Sequence, residues 1–174
     1  MVIITGPPGV GKTTVARLLA ESRPRGVHLE ADTFFHFIRS GRVEPWDPES
    51  HEQNQVVMDI VGTAAIGYAA AGYSTIIDGI VIPGWFFEPL RDALLRAGHE
   101  VAFVVLRAPV EVCEQRALGR NLTTLSDPEA INQLWQSFAG LGELEHHVLD
   151  IEDRSPAEVT QEIEAALASG RLSL

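Results

Sequence analysis

Hydrophobic residues in this chain fall into short apolar runs that are separated by longer stretches of mixed character. Short apolar runs bounded by turn residues are typical of buried strands, whereas apolar positions three or four residues apart are typical of helices. The pattern predicts strands at residues 1–5, 27–31, 74–78, 101–106 and 147–151. The run at 101–106, Val-Ala-Phe-Val-Val-Leu, has no polar position, which indicates a parallel strand covered on both faces.

Amphipathic segments fill the intervals between these runs. The spacing predicts helices at residues 15–20, 32–38, 47–71, 85–97 and 109–118, a further one from 126, and a last one at 155–168. Two of the predicted starts pair a serine with a glutamate three residues later, as in a capping box: Ser126 with Glu129 and Ser155 with Glu158. Alternating strands and helices predict an α/β fold with a parallel sheet and helices on both faces.

The order of elements also predicts where a ligand would bind. Right-handed crossovers place the carboxyl ends of all parallel strands at one edge of the sheet, and ligands of open α/β sheets bind along that edge. Residues 6–13, Asp32, Asp78 and the loop after Arg107 follow strands directly. We therefore expect them to face one cleft. The chain has no repeat, low-complexity segment or linker, so residues 1–174 are predicted to form one domain.

Residues 6–13, Gly-Pro-Pro-Gly-Val-Gly-Lys-Thr, match the phosphate-binding P-loop pattern between a strand and a helix. Glycines let the backbone N–H groups point inward at phosphate oxygens, and the helix N-terminus adds a positive dipole end. The motif predicts ATP and Mg²⁺ as cofactors, with Lys12, the only lysine, on the β- and γ-phosphates and the Thr13 hydroxyl on the metal. The predicted nucleotide-binding residues are Gly6, Gly9, Val10, Gly11, Lys12, Thr13 and Thr14. The alternative is a chance glycine turn.

Two aspartates at predicted strand ends are candidates for chemistry. Asp32 follows the second strand and opens a helix, so it is either a proton acceptor for an attacking hydroxyl or a helix N-cap. Asp78 ends the third strand after Ile76 and Ile77, and it is either a ligand of substrate or Mg²⁺ or a strand-end acid bonded to nearby backbone N–H groups. Gly79 occupies the place where ATP hydrolases of the motor type carry a glutamate, which argues against simple hydrolysis.

Arg116 and Arg120 lie four residues apart and would share one helix face leaning over a triphosphate. They are candidate catalytic residues, within a short lid predicted around residues 116–126. The alternative is a pair of surface arginines that form ion pairs with Glu111, Glu114 or other acids. Arg107 is expected to brace the wall of the cleft.

Several aromatic side chains lie near the predicted cleft edge, where they either form a wall for an organic substrate or pack in the core. They are Phe34, Phe35, Phe37, Trp46, Trp85 and Phe86. We expect Phe35 to contact substrate together with Asp32 and Asp78. His146, His147 and the single cysteine, Cys113, are interpreted as structural.

The net charge of −11 disfavours general binding to nucleic acid or to a membrane surface, because both require a basic face. Residues 56–73 are apolar enough to be considered as a membrane span, but Asp59 and the many small residues favour a buried amphipathic helix. The absence of a visible signal peptide and the single cysteine are compatible with a cytoplasmic location.

With these residues in place, the chain resembles the small P-loop kinases. It looks closest to chloramphenicol phosphotransferase-like and zeta-toxin-like phosphotransferases, with shikimate and gluconate kinases as more distant relatives. The matching features are residues 6–13, Asp32, the Ile76-Ile77-Asp78 strand end and the series Arg107, Arg116, Arg120. The resemblance implies the three-layer P-loop NTPase fold with strand order 2-3-1-4-5, Asp32 as base, and Arg116 and Arg120 as lid arginines.

Departures from these families narrow the expected substrates. The segment after Asp78 has a delayed proline and no arginine, unlike the D-G-x-P-R segment of many nucleoside monophosphate kinases, which disfavours a nucleotide acceptor. A single lysine rules out the N-K-x-D guanine motif and favours ATP over GTP. The resulting hypothesis is an ATP-dependent kinase of a small-molecule hydroxyl, with antibiotics and sugar-like compounds as candidate acceptors. A non-catalytic ATP-binding switch and a kinase of nucleic-acid ends are the alternatives.

Overall fold

The computed structural model describes residues 1–119 and 127–174. Its strands form one five-stranded sheet. The strands are β1 (Val2–Thr5), β2 (Gly26–Glu30), β3 (Ser74–Asp78), β4 (Ala102–Arg107) and β5 (Val148–Asp150).

Seven helices in the described residues connect and cover these strands. They are α1 (Lys12–Glu21), α2 (Ala31–Phe35), α3 (His51–Ala70), α4 (Phe87–Arg96), α5 (Val110–Leu118), α6 (Pro128–Gln136) and α7 (Pro156–Ala168). Short 3₁₀ segments at Pro48–Ser50 and Gly142–His147 precede α3 and β5.

The sheet has the order β2-β3-β1-β4-β5, and all four strand pairs are parallel. This confirms the predicted fold class and the predicted strand order. The register pairs Asp78 of β3 with Ile4 of β1 on one side and with Glu30 of β2 on the other. The P-loop after β1 and the acids at the ends of β2 and β3 therefore start from the same level at one edge of the sheet.

Successive residues of each strand pack alternately into two apolar cores, one on each face of the sheet. Ile3, Ile77 and Phe103 lie in the core that α3 and α4 cover. Ile4 and Val104, one residue further along their strands, lie in the core that α1, α5 and α7 cover. Side chains of a strand alternate between faces, so a strand covered by helices on both faces is apolar throughout, as predicted for 101–106.

Most differences from the predicted helices concern their ends. Helix α2 begins at Ala31 and ends at Phe35, whereas the aromatic run predicted a helix to residue 38. Helix α4 begins at Phe87, two residues later than expected. The aromatic content of both segments reflects contacts at the cleft as well as helical packing, so apolar spacing placed these helix ends incorrectly.

The two predicted capping boxes have different outcomes. At α7, Ser155 and Glu158 form the reciprocal pair, and the Ser155 hydroxyl holds the pKa of Glu158 below its ordinary value. At α6 the N-cap is Asp127, whose side chain accepts from the Glu129 N–H at 3.0 Å. The prediction of Ser126 as the cap is therefore wrong; Ser126 itself lies outside the described residues.

Helix α3 was the segment considered for a membrane span. Its buried residues include Val57, Val61 and Ala65, spaced four residues apart, on the face that packs on the sheet. Among residues 1–119 and 127–174, no helix combines the length and apolar character that a membrane crossing requires.

Candidate active site

The loop between β1 and α1 has the shape that its glycines allow. Gly6, Gly9 and Gly11 have φ angles of 143°, 77° and 106°, a range that L-residues with side chains rarely adopt. A Cβ at Gly9 would lie 2.1 Å from the Cys113 carbonyl oxygen of α5, so α5 closes directly onto the loop. At Gly11 a Cβ would meet nothing within 4 Å, which leaves this turn open toward the cleft.

Helix α1 begins at Lys12, immediately after the open glycine. No side chain caps it, so the N–H groups of its first turn remain for a ligand. The Lys12 ammonium donates to the carbonyl oxygens of Gly6 and Pro7, both at 3.0 Å, and therefore lies over the loop. Lys12 and Thr13 line the cleft, whereas Val10 is fully buried and can contribute only its backbone.

Asp32 lines the same cleft but does not cap α2. The N-cap is Glu30, and Asp32 is the second residue of the helix, exposed in its first turn. It forms no hydrogen bond or ion pair within the described part of the chain. The N-cap interpretation is therefore wrong, because the cap position belongs to a different residue. A carboxylate that faces the cleft without a protein partner can interact with a ligand.

Asp78 also lines the cleft, but it is only 2% exposed. One of its carboxylate oxygens contacts the His28 Nε2 at 2.9 Å. The partner is thus an imidazole on the neighbouring strand β2, which contradicts the alternative in which backbone N–H groups hold Asp78. His28 is a site residue that the strand pattern did not indicate; a histidine inside an otherwise apolar strand next to a predicted acid was the available signal.

Gly79 is glycine for a steric reason. A Cβ at this position would lie 2.8 Å from the Cβ of Ala31 at the start of α2. Real Cβ atoms do not approach so closely, so any larger side chain would displace the β2–α2 junction that carries Asp32. The absence of a hydrolase-type glutamate thus follows from the way in which β2 and β3 end side by side.

The arginines after β4 separate into two groups. Arg107 forms ion pairs with Asp150 and with Glu145, at 3.0 and 2.6 Å, and these bonds raise the pKa of its guanidinium. It braces β4 against β5 and does not line the cleft. Arg116 is exposed near the end of α5 and forms no ion pair with a described acid; it does not line the cleft, although the next residue, Ala117, does. Arg120 and most of the predicted lid lie outside the described residues.

The aromatic residues divide between the cleft wall and other surfaces. Phe35, Trp46, Trp85 and Phe86 line the cleft, and the rings of Trp85 and Phe86 lie 4.6 Å apart. Phe37 is 65% exposed and contacts Phe34 edge-on outside the cleft. Phe35 and Phe86 are both buried and cleft-lining, so packing and substrate contact are not exclusive roles for them.

The loop at residues 42–46, which carries Trp46, also lines the cleft. Gln53 of α3 bonds both backbone groups of Val43, and Asn54 donates to the Pro45 carbonyl oxygen at 2.7 Å. Asn54 is 1% exposed and lies on the same face of α3 as Val57. A single amide on an otherwise apolar helix face was the signal for this residue.

Other candidate groups lie away from the cleft. His147 is buried and its Nδ1 contacts the Phe103 carbonyl oxygen at 3.0 Å; burial lowers its pKa. Cys113 is buried in α5, and burial raises the pKa of its thiol. No group of three or more His, Cys, Asp or Glu side chains within residues 1–119 and 127–174 could hold a metal ion.

These features fit a nucleoside triphosphate better than a metal site in which every ligand is a protein side chain. The open Gly11 turn and the uncapped α1 N-terminus suit phosphate oxygens. Mg²⁺ usually takes one or two protein ligands together with phosphate and water, so a hydroxyl such as that of Thr13 and a nearby carboxylate are sufficient.

Comparisons with known proteins agree with this geometry. A protein family described as an AAA domain matches residues 1–141. The fold is similar to a gluconokinase from Sinorhizobium meliloti 1021, with a TM-score of 0.69, 17% identity, and coverage of 97% of this chain and 91% of that one. It is also similar to the tunicamycin resistance protein of Deinococcus radiodurans, with a TM-score of 0.66, 23% identity, and coverage of 95% and 94%.

A third similar structure is the Mycobacterium tuberculosis APS kinase in complex with AMPPNP and APS. Its TM-score is 0.66 at 21% identity, with 96% of each chain covered. No curated protein sequence matches the chain. At these identities the structures show a shared fold, and the finer resemblance to chloramphenicol phosphotransferase-like or zeta-toxin-like proteins stays a prediction.

Proposed function

The chain belongs to a family of AAA domains within the P-loop fold, and from this premise we propose that it is an ATP- and Mg²⁺-dependent small-molecule kinase. The reaction is transfer of the γ-phosphoryl group of ATP to a hydroxyl group of the acceptor. The similar folds include a gluconokinase and an APS kinase, which supports a phosphoryl-transfer role.

One observation carries this proposal. The P-loop residues Lys12 and Thr13 and the aromatic residues Trp46 and Trp85 line the same cleft, and Asp32 lines it as well. A nucleotide switch requires a phosphate site and a segment that responds to it. It does not require aromatic side chains and an exposed carboxylate in the same cleft. Such a lining suits a second, organic substrate beside the nucleotide.

The proposed roles follow from chemistry and position. Lys12 and the loop N–H groups would hold the phosphates, and Thr13 and Asp78 would hold Mg²⁺, directly or through water. The metal, when bound, neutralises charge on the phosphate oxygens. Asp32 receives the acceptor's hydroxyl proton. Arg116, with Arg120, offsets charge on the transferring group.

The step balances without a further reactant. The acceptor oxygen forms a bond to the γ-phosphorus as the bond from that phosphorus to the β–γ bridging oxygen breaks. ADP departs with that bridging oxygen, and the hydroxyl proton passes to the Asp32 carboxylate. Positioning and charge stabilisation supply most of the acceleration in such transfers.

A product assay separates this proposal from its alternatives. The protein is incubated with Mg²⁺, γ-labelled ATP and a panel of hydroxylated small molecules, and both ADP and labelled product are quantified. We expect ADP formation to depend on one class of acceptor and to equal the phosphorylated product. A Lys12→Ala preparation, made identically, controls for contaminating kinases.

Each other result supports a different function. ADP formed without labelled product would identify a hydrolase. ATP binding with neither ADP nor product, across the whole panel, would favour a non-catalytic switch. Labelled oligonucleotide ends, together with salt-dependent oligonucleotide binding, would favour a kinase of nucleic-acid ends.

A further inference from the structure

The connection between α2 and the 3₁₀ segment before α3 is long and has no regular structure. Residues 36–47 contain neither a helix nor a strand. Long connections of this kind are uncommon in compact domains, and many of them bind ligands. The last part of the connection, the loop at residues 42–46, contributes Arg42, Pro45 and Trp46 to the cleft. The side chains that hold this loop are therefore relevant to what the cleft binds.

Gln53 of α3 holds the loop as a neighbouring strand would. The Val43 N–H donates to the Gln53 Oε1 at 2.9 Å, and the Gln53 Nε2 donates to the Val43 carbonyl oxygen at 2.7 Å. A backbone N–H can only donate and a carbonyl oxygen can only accept, so the orientation of this amide is fixed. Gln53 does not line the cleft, so it would affect a ligand only through the loop.

A second anchor lies two residues further along the loop. The Pro45 carbonyl oxygen accepts from the Ser50 hydroxyl at 2.8 Å and from the Asn54 amide at 2.7 Å. Ser50 and Asn54 are 2% and 1% exposed, so water does not compete for these bonds. Because Val43 and Pro45 are both held by side chains, the backbone of the next residue, Trp46, has a fixed position.

Trp46 is the side chain that this loop presents. It lines the cleft and is 41% exposed. Its indole N–H donates to no group in the described part of the chain, whereas the Trp135 indole donates to the Ala108 carbonyl oxygen at 2.8 Å. Tryptophan is usually well buried, and its N–H usually finds a partner when it is. An exposed indole on an anchored loop is therefore better explained by a ligand than by packing.

The chemistry of the cleft indicates what such a ligand would be. Trp46 and Trp85 both line the cleft, as does the exposed carboxylate of Asp32. Aromatic rings bind the flat apolar face of another ring by burial and offset stacking. A side chain that is already ordered also avoids most of the entropy cost that a mobile one incurs on binding. This combination suits a cyclic acceptor that carries the reacting hydroxyl.

We propose that Trp46 is a specificity-determining residue that stacks on a ring of the acceptor, and that Gln53 is the positioning residue that holds Trp46 in place. The acceptor is then a cyclic compound with a flat apolar face and a hydroxyl group, a chemistry that sugars and aromatic alcohols share. This inference rests on the proposed function, since it names the substrate class of the same cleft.

The first test needs neither ATP nor turnover. Labelling with fluorotryptophan gives one fluorine NMR signal for each of the three tryptophans, and a Trp46→Phe variant assigns the Trp46 signal. The probes are ring compounds beside open-chain counterparts: methyl glycosides with the matching alditols, and phenyl-substituted alcohols with straight-chain alcohols. We expect one ring family to shift the Trp46 signal and its open-chain counterpart to leave it unchanged. No shift from either ring family, or equal shifts from ring and open-chain compounds, would overturn the stacking role.

A matched pair of variants tests Gln53. Gln53→Leu removes both bonds to Val43 and no cleft group, whereas Gln55→Leu is the same substitution at an exposed position of α3. We expect Gln53→Leu to shift or broaden the Trp46 signal without any ligand. Binding of the ring probe that responds should weaken by about three- to tenfold, because binding must then order the loop. Gln55→Leu should change neither quantity; equal effects of the two variants would overturn the positioning role.

A double-variant cycle shows whether Gln53 acts through Trp46. Trp46→Ala should weaken binding of the ring probe, measured by isothermal titration, by about tenfold or more. In the Trp46→Ala protein, Gln53→Leu should have almost no further effect, since residues that act through one contact are not additive. Additive losses would overturn the positioning role. If Gln53→Leu does not fold, Gln53→Glu, which keeps an acceptor for the Val43 N–H, takes its place, with a smaller loss expected.

The outcomes distinguish this inference from the proposed function. Ring binding at Trp46 that depends on Gln53, without labelled product in the transfer assay, would support the ring site and contradict the kinase. Transfer to an acceptor whose KM is unchanged in Trp46→Ala and in Gln53→Leu would support the kinase and overturn this inference.

Discussion

The two ends of the cleft are built in different ways. The end that we propose binds phosphate is one contiguous segment, residues 6–13, and five of its residues, Lys12 among them, line the cleft. The end that we propose for the acceptor is lined by residues of α2, of the loop at 42–46, of α3 and of the segment after β3. The first depends on a local backbone shape and the second on long-range packing. Substitutions at the two ends should therefore affect different measured quantities.

The largest effect is expected at the phosphate end. Lys12→Ala removes the only flexible cation of the loop, so ATP affinity should fall by roughly 10- to 100-fold, the loss expected for charge-assisted bonds. Turnover should fall further, because charge on the transferring group grows in the transition state. Isothermal titration with ATP and the product assay measure both quantities. Arg17→Ala, an exposed cation on the same helix, is the control; unchanged ATP binding in Lys12→Ala would remove the P-loop assignment.

The junction between the two ends can be tested sterically. Gly79→Ala places a Cβ against Ala31 and should displace the start of α2, with a stability loss of about 1–3 kcal/mol. Phosphoryl transfer should fall more than ATP affinity, because α2 carries Asp32, whereas the P-loop belongs to a different segment of the chain. The double variant Gly79→Ala, Ala31→Gly removes the collision and should recover most of both losses. Failure of this rescue, with both proteins folded, would contradict the steric account.

A moderate effect is expected at Arg116. Arg116→Ala should lower kcat by about tenfold and leave the KM for ATP nearly unchanged, since the proposed role is confined to the transition state. Arg96→Ala, at the end of α4, is the control for loss of one exposed charge. A rise in the KM for ATP with constant kcat would instead indicate that Arg116 binds the nucleotide in the ground state. Full activity would indicate that Arg116 is a surface arginine with no role in the reaction.

The smallest effect concerns stability away from both ends. Burial lowers the pKa of His147 below the ordinary value of about 6.5, so the unfolded chain binds a proton at higher pH than the folded chain does. The free energy of unfolding should therefore decrease as the pH falls through about 6.5 toward the lower folded-state pKa. Thermal unfolding across this range measures the slope. His147→Gln should flatten it. His146→Gln should reduce the slope only in part, because burial lowers the His147 pKa more than the neighbouring His146 charge does. Equal slopes in all three proteins would contradict this origin.

The sequence predicted the phosphate end better than the acceptor end, for a physical reason. The glycine positions, the lysine and the following helix are encoded within a few residues. Alternation of strands and helices predicted the parallel sheet, whereas its strand order was implied by the resemblance to the small P-loop kinases. The sequence also predicted that Asp32 and Asp78 face one cleft, because parallel strands end at a common edge of the sheet, and both residues line the cleft.

The contacts of individual side chains were harder to predict from the sequence. The Asp78 partner is His28, fifty residues away in sequence, and this pairing depends on the β2–β3 register. The bond from Asn54 to the Pro45 carbonyl oxygen likewise depends on how the loop at residues 42–46 folds over α3. The interpretation of Asp32 as an N-cap was wrong by two residues. Helix α2 follows β2 without an intervening turn, so Glu30, the last residue of β2, is the N-cap.

The measurement that tests the central claim most directly is phosphoryl transfer by Asp32→Asn. The substitution keeps the side-chain shape, and Asp32 forms no hydrogen bond in the described structure, so Tm and ATP affinity should be close to those of the parent. Transfer to the acceptor should fall by about 10²–10⁴-fold, the usual contribution of a general base. Asp59→Asn, an exposed acid of α3 that does not line the cleft, should retain full transfer. An Asp32→Asn protein that forms product at the parental rate would contradict the account and leave Asp78 as the candidate base.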